Sequence, residues 1–88
     1  MSCTVHIPSP LRSYTAGASR VQAGGRTLEE VLASLEIRFA GMRFRMVDEQ
    51  DRIRPHIRLY VNGQEANALS MPVGAGDTIH VICALSGG

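Results

Sequence analysis

Apolar and polar residues alternate through Cys3-Thr4-Val5-His6-Ile7. That pattern predicts a strand with Cys3, Val5 and Ile7 on one face, ended by Pro8 and Pro10. Ser19-Arg20-Val21-Gln22-Ala23, closed by Gly24-Gly25, predicts a second short strand, paired with the first through a hairpin spanning Ser13 to Ala18. The period then changes. Leu28, Val31, Leu32, Leu35 and Phe39 recur at helical spacing, with Thr27 and Glu30 placed as a capping box and Gly41 as a stop. From cap to Phe39 such a helix is about 18 Å long at 1.5 Å per residue, enough to cross a small sheet.

Met42 to Pro55 is dense in charge and has no clear period, so it reads as an exposed loop with one short turn. His56-Ile57-Arg58-Leu59-Tyr60-Val61 alternates cleanly, with Ile57, Leu59 and Val61 inward, and leads into Asn62-Gly63, a strong hairpin signal. A weak strand or turn continues to Leu69. Gly74-Ala75-Gly76-Asp77 then introduces a final strand, Thr78-Ile79-His80-Val81-Ile82-Cys83. The order ββαββ predicts a small α+β roll, a sheet of four to five strands packed on one main helix.

Eighty-eight residues make one domain. The expected division is a globular domain over 1–83 and a flexible tail over 84–88. A formal net charge of +1, with basic and acidic residues interleaved, argues against nucleic acid as a partner. No apolar stretch approaches a membrane span and no leader pattern opens the chain, so a cytoplasmic protein without membrane contact is expected.

All nine basic residues are arginine, so the chain cannot polymerise with itself through lysine. Cys3 and Cys83 are too few for a disulfide framework or zinc site. If the first and last strands are parallel neighbours, the two thiols lie roughly 15 Å or more apart. They are then core or edge residues. Glu29, Glu30 and Glu36 read as a solvated helix face.

The last two residues, Gly87-Gly88, carry the sharpest signal. At an average glycine frequency, two at a given place occur by chance in about one chain in 200. Two residues without side chains suit close approach to another surface. The alternation also defines a candidate docking face. If Val5, Leu59 and Val81 face the helix, then Thr4, His6, Arg58, Tyr60, His80 and Ile82 share the opposite side of the sheet. An aromatic, an arginine and apolar atoms beside the tail suit a protein partner. An ordinary solvated sheet face would carry the same alternation. His6 and His80 alone do not make a metal site.

The capped helix, the strand ending Tyr60-Val61-Asn62-Gly63, the Gly76-Asp77 entry to the last strand and the terminal Gly-Gly together resemble the ubiquitin-like sulfur carriers of the MoaD/ThiS family. The opening Val5-His6-Ile7-Pro8, followed by Leu11-Arg12, and the arginine-rich loop before Ile57 look most like carriers of the cysteine-biosynthesis type. Family tails often carry prolines and an aromatic before Gly-Gly, whereas this one reads Cys83-Ala84-Leu85-Ser86.

The resemblance implies a ubiquitin-like β-grasp roll with a mixed sheet, monomeric when free, that binds no cofactor or metal itself. It implies that a ubiquitin-activating-type enzyme uses MgATP to adenylate Gly88. Sulfur from a persulfide or sulfide donor then leaves a thiocarboxylate there for a sulfur-accepting synthase. Gly87, Ser86 and Leu85 would thread into the partner, with up to about 17 Å of extended chain beyond the strand. His6, Arg58, Tyr60, His80 and Ile82 would dock it. The chain would then be a protein cosubstrate with no catalytic residues. The alternatives are the small subunit of a molybdopterin synthase-type complex and a ubiquitin-like protein modifier.

Overall fold

In a computed structural model, residues 2–84 form a single sheet wrapped around one principal helix. The first strand, β1, covers Cys3–His6 and pairs antiparallel with β2, Arg20–Ala23. The connection is not a plain loop: Ser9–Thr15 form a 3-10 helix that buries Leu11 and Thr15. Helix α1 runs Leu28–Arg38 and a second helix, α2, covers Met42–Met46. Strands β3 (Ile57–Val61), β4 (Gln64–Glu65) and β5 (Thr78–Cys83) complete the sheet.

Across the sheet the order is β2-β1-β5-β3-β4. Strands β1 and β5 are parallel, with Thr4, Val5 and His6 opposite Thr78, Ile79 and His80. The other pairs are antiparallel. This is the mixed α+β roll expected from the sequence. Asn62 (φ 51°) and Gly63 (φ 85°) both take the left-handed conformation that a two-residue hairpin requires, and they join β3 to β4.

The capping box forms as the sequence predicts. The Thr27 side chain accepts from the Glu30 backbone N–H, and the Glu30 carboxylate accepts from the Arg26 N–H. The N–H groups of Leu28 and Glu29 donate to the carbonyls of Met71 and Leu69, so the helix start is closed by the segment leading to β5. Phe39 ends α1 as a half-buried cap instead of extending its buried stripe.

The segment from Met42 to Pro55 corrects the sequence reading. Gly41, at φ 93°, turns the chain into α2, and the Glu36 carboxylate accepts the N–H groups of Gly41 and Arg43 at that turn. Met42, Met46 and Val47 are fully buried. Arg43 bridges Glu29 on α1 and Asp51 at 2.9 and 3.1 Å, so the charges that suggested a loop instead pin the segment down.

Cys3 is buried and donates its thiol hydrogen to the Ala23 carbonyl, while Cys83 packs half-buried against the core. Both thiols are free. In the observed register they sit about six residues apart along the sheet, or roughly 20 Å. Burial raises both thiol pKa values.

Candidate functional site: the open face of the sheet

Period-two alternation puts Val5, Leu59, Ile79 and Val81 under α1 and turns their neighbours to the other side. The register then builds a row across all five strands: Arg20 on β2, His6 on β1, His80 on β5, Tyr60 on β3 and Glu65 on β4. One residue pair toward the end of β5, Arg58 stands opposite Ile82. All five docking candidates from the sequence therefore share one surface. Arg20 and Glu65 also belong to the row, but only the register reveals them.

The His6 and His80 rings stack with centroids 4.2 Å apart and planes 10° from parallel. His6 is held below the usual imidazole pKa. Desolvation is the largest cause, followed by the nearby His80 and Arg20. His6 therefore gives up its proton more readily than an isolated histidine. Arg58 sits 3.6 Å from Glu65 and also donates to the Pro55 carbonyl. Among the described residues, no three or more His, Cys, Asp or Glu side chains gather as a metal site.

Ile82 is 44% exposed on this face, two residues before the last described position. The Ala84 N–H still donates to the His56 carbonyl at 2.7 Å, so the ladder holds to the end of the described chain. The remaining site residues from the sequence, Leu85, Ser86, Gly87 and Gly88, lie outside the described residues. What the described part offers is a platform of aromatic and apolar side chains with a charged rim, next to the point where those residues follow. That suits protein docking better than acid–base chemistry. The three helix glutamates are engaged elsewhere: Glu29 with Arg43, Glu30 in the capping box and Glu36 at the start of α2. No helix among the described residues is long and apolar enough to cross a membrane.

The sequence pattern of the ThiS family matches residues 5–88. The sulfur carrier protein CysO of Mycobacterium tuberculosis is 32% identical over 93 residues, covering 100% of both chains. The crystal structure of the Amycolatopsis orientalis BexX/CysO complex contains a chain that superposes with a TM-score of 0.91 at 36% identity, covering 98% of this chain and 99% of that one. The structure of M. tuberculosis CysO gives a TM-score of 0.89 at 30% identity, covering 94% of this chain and 99% of that one. These likenesses bear out the ubiquitin-like β-grasp roll. A small archaeal modifier protein from Haloferax volcanii, at 24% identity and a TM-score of 0.83 over 100% of both chains, shares the fold alone.

Proposed function

The chain belongs to the ThiS family, and from that premise we propose the chemistry at its last residue: it is a sulfur carrier of the cysteine-biosynthesis type, loaded at Gly88. The observation that carries the reading is full-length similarity to CysO, with the family match running through Gly88.

A carboxylate is a poor electrophile, so the oxygen must first become a leaving group. A ubiquitin-activating-type enzyme uses MgATP for this. The Gly88 carboxylate attacks the α-phosphorus, pyrophosphate departs and an acyl-adenylate forms. Sulfide then displaces AMP and leaves the thiocarboxylate. With a persulfide donor the first product is an acyl disulfide, and a second thiol cleaves it to the same thiocarboxylate. A sulfur-accepting synthase takes the sulfur onward. The carrier is a protein cosubstrate throughout and works in the cytoplasm, where these enzymes and ATP are found together.

The rigid roll supports this role by holding one end of the tail while a partner holds the other. Gly87 and Gly88 carry no side chain to obstruct a narrow channel, and Leu85 and Ser86 lead into it. The face built from His6, His80, Tyr60, Arg58 and Ile82 would hold the globular part against the channel mouth.

Top-down mass spectrometry of the chain purified from its own host tests the reading. The expected result is one sulfur in place of one oxygen, localised to Gly88 and lost when Gly88 is deleted. Localisation is essential because oxidation of any of four methionines gives nearly the same mass change. An unmodified terminus after incubation with MgATP, sulfide and the host's adenylating enzyme would overturn the proposal.

A further inference from the structure

A cleft of about 360 Å³ opens at the end of the sheet where β5 finishes, lined by Phe44, Arg45, Glu49, Arg54 and His56. It adjoins the open face but is made from different residues. Phe44, on α2, is 56% exposed and turns one of the largest apolar surfaces of the described residues toward solvent. The Arg54 guanidinium lies 4.4 Å from the centre of its ring, and Arg54 Nε donates to the Phe44 carbonyl at 2.7 Å. The two side chains are thus held as one unit, apolar at the ring and cationic at the rim.

Ion pairs among the described residues engage Arg43, Arg52 and Arg58, while Arg45 has none there. The cleft therefore presents two guanidinium groups against one lining carboxylate, Glu49, with Asp48 near enough to Arg54 to interact with it. Its place along the chain is equally telling. The His56 carbonyl accepts the Ala84 N–H, and the Arg45 charge reaches Cys83, the last residue of β5.

We propose that this cleft is a second docking element, which takes an acidic segment of the adenylating enzyme. One of its carboxylates would meet Arg45 or Arg54, and an apolar side chain would lie against Phe44. The charge argues for carboxylates as the complement, because a planar guanidinium matches a carboxylate through two parallel hydrogen bonds. Arginine beside an exposed aromatic is also the composition that dominates binding at protein interfaces. The acidic rim at Asp48 and Glu49 disfavours a polyanion such as nucleic acid. The adenylating enzyme is the first protein that must seat the tail, since no later step proceeds without it. A contact next to Cys83 would fix the angle at which the tail enters.

This inference rests on the carrier reading, and the test separates the two. Steady-state kinetics of ATP-dependent thiocarboxylation would be measured with the host's adenylating enzyme and the full chain as wild type, Arg45→Glu, Phe44→Ala and Arg26→Glu. The Arg45 side chain makes no hydrogen bond among the described residues, so Arg45→Glu should fold, and thermal unfolding checks this. Arg26 is exposed at the other end of the molecule, before α1, and its reversal controls for net charge.

Arg45→Glu is expected to raise KM about tenfold with kcat within about twofold, and to weaken the salt dependence of kcat/KM. Phe44→Ala should raise KM severalfold, and Arg26→Glu should follow wild type. Unchanged kinetics in both cleft variants overturn the proposal, as does an equal effect from Arg26→Glu. Normal loading of Arg45→Glu followed by poor delivery to the acceptor also overturns it, because the cleft would then serve another protein. If wild type takes up no sulfur, the carrier reading itself fails and the cleft proposal falls with it.

Discussion

Replacing His80 with asparagine tests whether the stacked imidazoles oppose each other's protonation. With ring centroids 4.2 Å apart, two imidazolium charges repel by about 1 kcal/mol at the dielectric of water, and by less once salt screens them. That is roughly a fivefold handicap for the second proton. His6 also faces Arg20 on β2, which adds to the handicap, while Tyr60 and Glu65 lie farther along the row.

The sign follows from His6 having a folded pKa below its ordinary value. As pH falls from about 7, the unfolded chain takes up a proton at this position before the folded one does. The stability attached to neutral His6 is thus complete above the unfolded pKa and is lost as pH falls toward the folded one. The His80→Asn variant should bring the His6 titration, followed by NMR, closer to that of an ordinary histidine. It should also flatten the fall in urea midpoint between pH 7 and 5. If His6 titrates identically in both proteins, repulsion between the rings is not what holds its pKa down. An unchanged stability slope would count against that repulsion just as heavily.

Two further predictions concern the scaffold. Met46→Ala removes a fully buried side chain from α2 and should cost about 2–5 kcal/mol in urea unfolding, whereas Phe44→Ala two residues earlier should cost about 1 kcal/mol or less; equal costs would contradict the packing of α2. At Gly25 an added Cβ would lie 2.7 Å from the Val31 backbone nitrogen and 2.9 Å from Glu30, so Gly25→Ala should cost about 1–3 kcal/mol by the same assay, and a neutral result would mean that α1 can shift away from the strand.

Much of the fold is legible because each of its main strands alternates and its main helix is capped. Register supplies the rest. Alternation places His6 and His80 on the same side of their strands, but only the parallel pairing of β1 with β5 stacks their rings. The pairings of β1 with β2, β5 with β3 and β3 with β4 bring Arg20 and Glu65 to opposite ends of the same row. The Met42–Pro55 segment hides its helix for a different reason. Its apolar residues are only Met42, Phe44, Met46, Val47 and Ile53 among many charges, too few for a period to emerge. Met42 and Met46 do stand four apart, the spacing of one helical face, but a five-residue helix shows that spacing once. The cleft is illegible for a third reason: Phe44 and Arg54 are ten residues apart and meet only because α2 folds back on the chain before β3.

The topology anchors the last described strand on both sides. Strand β5 is the middle strand of five, bound on one side to β1 and on the other to β3, and its ladder continues to Ala84. A tail attached to an edge strand could fray with that edge, since an edge is held by hydrogen bonds on one side only. Residues 85–88 instead follow the strand that is hardest to displace, because displacing it would break both halves of the sheet. The side chains around its end come from β3, β5 and α2, so a partner gripping the open face and the cleft would contact both layers of the roll. On the proposed carrier reading this arrangement has a use: a partner that grips the open face and the cleft holds a strand anchored on both sides up to Ala84.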